Sequence, residues 1–339
     1  MRLSDIDYVL PERLIAQEPI EPRDHARLLV DRGDSRRDHL HVFDIVDEFR
    51  PGDVMVVNHT RVMNARLHLV RATGGAVEVL MLRPVEGTTT WEALVRPGGK
   101  VKPGEVLSRT GGQGIVRMVG RGTDGDTFVV EPLVGDIVGT MREIGEAPLP
   151  PYITTRLADS ARYQTVYAHE ERSAAAPTAG LHFTPELMDA IRARGVTIAE
   201  VELVVGLDTF KPVTVEDPRD HVIHTERYRV PGNVLETCRR ARESGSRVVA
   251  VGTTAARALE SAETIGRGEG DTSLFITPGY EWRIVDVLMT NFHMPRTTLL
   301  LMISSFVGER WRAIYDDAIA REYRFLSFGD AMLLDRHAS

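Results

Sequence analysis

The chain has 339 residues, 42% of them hydrophobic and 27% charged, so it is too long for one usual core and too apolar for a disordered chain; two domains are expected. Its acidic start, MRLSDIDYVLPERL, and the lack of an apolar run of spanning length argue against a signal peptide or membrane helix and predict a cytoplasmic protein. A lone cysteine, Cys238, excludes a disulfide framework and a multi-cysteine zinc site, and a net charge of −8 excludes nucleic-acid binding by general basicity, leaving only a local face from Arg61, Arg66, Arg71, Arg96, Lys100 and Lys102.

The first 65 residues mix short elements: a proline-rich entry (Pro11, Pro19, Pro22), a strand at 27–30, a helical stretch near 43–49, and a buried strand at 54–57 leading into Asn58-His59-Thr60-Arg61. Between 66 and 148 the texture changes to short β-rich runs at 76–82, 90–95, 114–119 and 127–132, separated by Gly-Gly, Asp-Gly and Pro-Gly pairs. Runs at that spacing without helical periodicity predict a small all-β barrel-like domain.

From Pro148 strands and helices alternate, as in an α/β layer. Thr184-Pro185-Glu186 reads as an N-cap, a first-turn proline and a dipole-favoured acid, opening a helix that Gly195 ends. A strand follows at 196–205, a buried strand at 247–251, a helix at 255–262, a strand at 283–289, an apolar helix from Thr297 or Thr298, and a last helix over 309–323 with Trp311, Ile314, Tyr315 and Ala318 on its core face. The expected fold class is therefore α/β, with residues 1–65 and 149–339 forming one discontinuous α/β domain and residues 66–148 an inserted β-barrel-like domain.

Loops that follow strands carry ligands in such layers, because backbone donors and helix N-termini converge there. Gly252-Thr253-Thr254, with Arg257 one turn on, offers an anchor for a carboxylate or phosphate, or a plain threonine cap. The run from Ala175 to Phe183, including Thr178, Gly180 and His182, is small enough for a purine to approach the backbone and ends in a ring that titrates near neutrality. Asn291-Phe292-His293 gathers an amide, an aromatic platform and a second imidazole. His221 and His224 lack a matching third ligand, so hydrogen-bonding roles are expected of them and no metal is.

These same segments resemble one family. Y-Q-T-V-Y-A from Tyr163, A-A-P-T-A-G-L-H-F-T from Ala175, V-G-T-T from Val251, T-N-F-H-M-P-R-T-T-L-L from Thr290 and Y-R-F-L-S-F-G-D-A-M-L from Tyr323 resemble the tRNA ribosyltransferase-isomerases of queuosine synthesis. The resemblance implies transfer of the ribosyl carbons of S-adenosylmethionine to 7-aminomethyl-7-deazaguanine at the tRNA wobble position, giving epoxyqueuosine, adenine and methionine, by a monomer that needs no metal. Set against the demands of that chemistry, His182 or His293 is expected as proton carrier; Thr178, Gly180, Phe183, Gly252, Thr253, Thr254, Arg257, Asn291 and Phe292 around S-adenosylmethionine, with Phe183 or Phe292 as a stacking surface; and Asn58, Thr60, Arg61, His221 and His224 toward the tRNA.

The chain departs from the family's pattern at three places: Val204 and Asp208 in L-V-V-G-L-D-T-F, His59 in N-H-T-R-V, and Arg172-Ser173-Ala174 before A-A-P-T. Those departures and the acidic charge raise two alternatives, a small-molecule acceptor for S-adenosylmethionine chemistry and a non-catalytic RNA-binding relative.

Overall fold

The structure is a computed structural model that describes residues 2–33, 36–122, 126–157, 159–205, 215–221, 223 and 225–338. It divides into two units, one made of Met1–Arg61, Pro150–Glu170 and Ala176–Ser339, the other of Val62–Leu149 with Glu171–Ala175. In chain order the strands are β1 (Arg27–Asp31), β2 (Arg37–His41), β3 (Val54–Asn58), β4 (Thr60–Val62), β5 (Arg66–Val70), β6 (Ala76–Pro84), β7 (Trp91–Arg96), β8 (Val106–Ser108), β9 (Gly114–Arg121), β10 (Phe128–Pro132), β11 (Glu170–Ser173), β12 (Thr197–Leu203), β13 (Glu226–Arg229), β14 (Val248–Val251), β15 (Glu269–Thr272), β16 (Val287–Asn291) and β17 (Ala331–Asp335). The helices are α1 (Ile137–Ile144), α2 (Pro185–Ala193), α3 (Gly232–Glu243), α4 (Thr253–Ile265), α5 (Thr298–Val307) and α6 (Arg310–Ala320).

The second unit contains the expected barrel: β5 to β10 close in the order β10-β7-β6-β5-β8-β9, every pair antiparallel. Alternation along the strands sends Leu67, Leu69, Val77, Val79, Leu107, Val116 and Val130 into its buried interior. Two of its strands, β5 and β8, and the helix α1, capped by Asp136 Oδ1 on the Gly139 amide at 2.8 Å, lie outside the β runs read from sequence. Of the basic residues in this unit, Arg71 is tied to Glu105 through two hydrogen bonds and Arg66 lies 3.9 Å from Glu78, while Arg96, Lys100 and Lys102 are exposed.

The first unit is a nine-stranded sheet in the order β15-β13-β12-β3-β14-β16-β17-β1-β2. At its centre β12, β3, β14 and β16 run parallel, and their unbroken burial (Val54 to Asn58, Val248 to Val251, Val287 to Asn291) is what helices on both faces require. Thr184 caps α2, its Oγ1 accepting from the Leu187 amide at 3.1 Å, and Thr297 caps α5 in the same way through Leu300. Trp311, Ile314, Tyr315 and Ala318 form the buried face of α6, which ends at Ala320 rather than 323. Cys238 is fully buried on α3, and burial pushes its thiol up to about 12, so it is inert as expected.

One boundary moves for a physical reason. The strand expected at 283–289 begins only at Val287, because the backbone N–H groups of Arg283, Ile284 and Val285 donate to the buried Glu260 carboxylate on α4 instead of to a neighbouring strand. Glu260 thereby fixes the approach to β16. Among the described residues no helix is long and apolar enough to cross a membrane.

Candidate functional site

Parallel strands leave their carboxyl ends open where the following loops diverge, and in the first unit a cleft of about 660 Å³ lies at the ends of β14 and β16. Its walls come from Tyr152, the 176–179 run, Val205, Gly252 to Thr254, Thr290 to Met294, Thr297, Leu299, Leu326 and Ser327.

Gly252 ends β14 and precedes α4 with φ +90° and ψ 151°, a region open in practice only to glycine. Its carbonyl accepts the first bond of the helix, from Ala256, which leaves the amides of Thr253, Thr254 and Ala255 without partners inside the helix. The Thr254 hydroxyl is buried beside them and has no partner among the described residues. Positive helix dipole, free amides and an unsatisfied hydroxyl together suit a carboxylate. Arg257 does not join them: it lies outside the cleft lining, ion-paired with Glu226 of β13 and donating to the Leu274 and Thr272 carbonyls.

At the end of β16, His293 lines the cleft with 8% of its surface exposed, its Nε2 3.1 Å from Thr290 Oγ1 and its backbone N–H donating to the Tyr315 hydroxyl. Burial lowers its pKa to about 3, so the ring is neutral at physiological pH. Asn291 also lines the cleft; its Oδ1 accepts from Thr178 Oγ1 at 2.9 Å, and its Nδ2 faces His182 Nε2 at 3.2 Å and the Asp330 carbonyl at 3.4 Å. His182 itself lies behind Asn291, outside the lining, against a smaller cavity of about 250 Å³ that Arg23 and Arg162 share. Burial lowers its pKa to about 4.

Several expected ligand contacts have other employment. Gly180 is buried because a Cβ there would stand 1.8 Å from the Tyr167 hydroxyl; it makes room for a tyrosine, not for a purine. Phe183 is fully buried in the core with Leu187, Met188 and Ile191 of α2, and offers no stacking face. Phe292 borders the cleft but has no exposed surface, its ring packed edge-on against Tyr315 and Tyr323.

The residues expected to face tRNA are likewise dispersed. Asn58 is buried at the end of β3, where Nδ2 donates to the Leu203 carbonyl and Oδ1 accepts the Leu203 and Thr60 amides, stitching β3 to β12. Thr60 is buried, Arg61 is exposed, His221 packs edge-on against Phe275, and His224 lies outside the described residues, as does Asp208. Val204 is half-buried just past β12, its amide donating to the Arg227 carbonyl. His59 lies 4.2 Å, centroid to centroid, from His169, and burial followed by that neighbour lowers its pKa.

Sequence reading missed Tyr152 and Ser327. They meet across the cleft wall through a 2.7 Å hydroxyl pair, and burial pushes Tyr152 up to about 12. Ser327 follows Leu326, which adopts φ +70° and donates its amide to the Phe292 carbonyl, and Gly329 is obligatory since a Cβ there would stand 2.4 Å from the Arg324 carbonyl. The F-L-S-F-G run carried the signal, as a tight turn that a lone sequence does not place.

Residues 3–334 match the family model described as "Queuosine biosynthesis protein". The chain is 48% identical over 341 residues to the S-adenosylmethionine:tRNA ribosyltransferase-isomerase of Symbiobacterium thermophilum, covering 98% of this chain and 100% of that protein. It is 45% identical, with the same coverage, to the protein of that name from Staphylococcus aureus. Among solved structures it is similar to the S-adenosylmethionine tRNA ribosyltransferase of Thermotoga maritima, with 36% identity, a TM-score of 0.55, and coverage of 97% of this chain and 99% of that one.

Proposed function

Since the chain belongs to the queuosine biosynthesis family, we propose that it is an S-adenosylmethionine:tRNA ribosyltransferase-isomerase whose co-substrate occupies the cleft at the ends of β14 and β16. The observation that carries this reading is convergence: the V-G-T-T, T-N-F-H-M-P and A-A-P-T-A-G motifs, far apart in sequence, line one cleft. The comparisons favour neither the small-molecule acceptor nor the non-catalytic relative. The acceptor is 7-aminomethyl-7-deazaguanine in the tRNA anticodon, the product epoxyqueuosine, and the protein a cytoplasmic monomer.

S-Adenosylmethionine supplies ribosyl carbons activated by the neighbouring sulfonium, with adenine and methionine as leaving groups. The amides of Thr253 and Thr254 with the Thr254 hydroxyl hold its carboxylate, replacing water at the α4 terminus. His293 takes the proton: it is the imidazole that lines the cleft, and it is unprotonated at neutral pH. His182 has no access to that space and is withdrawn as proton carrier.

The test is incubation with S-adenosylmethionine and tRNA bearing 7-aminomethyl-7-deazaguanine, following adenine and the tRNA nucleosides by mass spectrometry. Adenine release matched by epoxyqueuosine is expected; co-substrate binding with no tRNA product would sink the reading. For His293→Gln, turnover should fall by about 10²- to 10⁴-fold, the usual worth of general acid–base catalysis, with co-substrate affinity kept within about threefold. Near-normal turnover would remove His293 from the chemistry.

A further inference from the structure

Asn291 is the one amide side chain among the described residues of the cleft lining, and its hydrogen-bonding capacity is almost fully used from behind. The Nδ2 group faces two acceptors, His182 Nε2 and the Asp330 carbonyl, so both of its N–H bonds are committed. Turning the amide over would set Oδ1 against that carbonyl and against the nitrogen lone pair, and would present two donors to Thr178. As it stands, the Thr178 hydroxyl donates to Oδ1 at 2.9 Å, which leaves one lone pair on Oδ1 and the lone pairs of Thr178 Oγ1. What this part of the wall offers a ligand is hydrogen-bond acceptors alone.

His182 meets the Nδ2 group through Nε2 at 3.2 Å, so it holds that orientation as the tautomer with its proton on Nδ1. Full burial keeps the ring neutral through the physiological range, so Nε2 stays an acceptor toward Asn291. The residue is 4% exposed and borders a different cavity, so it acts on the cleft through the amide.

We infer that Asn291 and Thr178 form an acceptor-only edge that receives an N–H donor of S-adenosylmethionine, and that His182 is the positioning residue that locks this edge. The inference rests on the proposed co-substrate. S-Adenosylmethionine has two such donors, the 6-amino group of its adenine and its α-ammonium group, and the same edge would reject an acceptor placed there, since two lone pairs would face each other.

The experiment is calorimetric binding of three ligands to the full chain: S-adenosylmethionine, the analogue with oxygen in place of the adenine amino group, and the analogue lacking the α-amino group. Wild type should bind one of the two analogues at least about tenfold more weakly than the parent, and which one identifies the donor. In His182→Leu, which removes the acceptor behind Asn291, that discrimination should shrink to within about threefold. In His182→Gln, whose side-chain oxygen reaches the position of Nε2, it should persist. The ratio of two affinities measured on one variant is not moved by a general loss of stability, so it separates positioning from mere structural support. Should His182→Leu fail to fold, Thr178→Val poses the same question from the other side of the amide and should also lower the ratio. Equal affinity of wild type for all three ligands, or undiminished discrimination in the leucine or valine variant, overturns the inference. Absence of any S-adenosylmethionine binding by wild type would sink the functional reading and take this inference with it, whereas tight binding without discrimination sinks this inference alone.

Discussion

Acid should unfold the α/β unit through two of its histidines. Burial lowers His182 to about 4 and His293 to about 3 in the folded state, whereas an imidazole in the unfolded chain titrates near 6.5. The unfolded state therefore binds the extra protons, and stability is complete above pH 6.5 and declines as pH falls toward the folded values. Each such proton removes about 1.4 kcal/mol per pH unit, so at pH 5 the two histidines together cost about 4 kcal/mol, a large part of the ~5–15 kcal/mol that holds a domain together. Between about pH 6 and 4.5 they contribute about 2 kcal/mol per pH unit to the slope. Carboxylates also titrate in the lower part of this range, so the informative quantity is the difference between variants. Urea titrations followed by tryptophan fluorescence in a Trp91→Phe background report on the α/β unit alone, because Trp282 and Trp311 both lie in it. His182→Gln and His293→Gln should each remove about half of that contribution to the slope, and the double variant all of it. Slopes indistinguishable from wild type would refute the assignment of buried neutral rings at both positions.

Gly252→Ala has space for its methyl group, the nearest atoms being Thr254 Oγ1 at 3.5 Å and Ala179 Cβ at 3.7 Å, but the φ of +90° should cost about 1–3 kcal/mol, read as a lower melting temperature with S-adenosylmethionine affinity weakened about tenfold as the loop relaxes. An unchanged melt and affinity would show that the anchor does not need this backbone. Glu260→Gln puts an amide N–H where the carboxylate accepts from the Arg283 backbone and the Tyr280 hydroxyl, and should destabilise by about 2–4 kcal/mol in the same melting assay; a shift under 1 kcal/mol would mean that 283–286 is held by something else.

The parts of the fold that could be read in advance are those where local pattern and final environment agree. Val248–Val251 is apolar on both faces because both are buried, and Thr184-Pro185 announces a helix start that needs no distant partner. Two of the missed strands, Arg37–His41 and Glu269–Thr272, are short and polar and sit at the two sheet edges, where one side of the ladder is open and little apolar signal is required. Strand 283–289 was placed too early since nothing nearby in sequence says that Glu260, some twenty residues before, would capture three of its amides. For the site, position after a strand picked out Gly252 to Thr254 and Asn291 to His293, which the fold brings to the lining of one cleft. Which face of an element a side chain takes depends on partners from elsewhere: Arg257 turns toward Glu226 on β13, and His182 turns behind Asn291 rather than beside His293. Local chemistry gave the loops, and tertiary packing decided the roles within them.

The burial that makes His293 acid-sensitive also constrains its role as a base. Lowered to about 3, the ring has lost about 5 kcal/mol of proton affinity relative to free imidazole. That loss reflects the burial of an imidazolium, and the described lining of the cleft contains no aspartate or glutamate to offset it. S-Adenosylmethionine does not bring a counter-charge, because it carries a sulfonium and an α-ammonium group beside its carboxylate; the base proposed at His293 therefore depends on a substrate proton that the adjacent sulfonium has already made acidic.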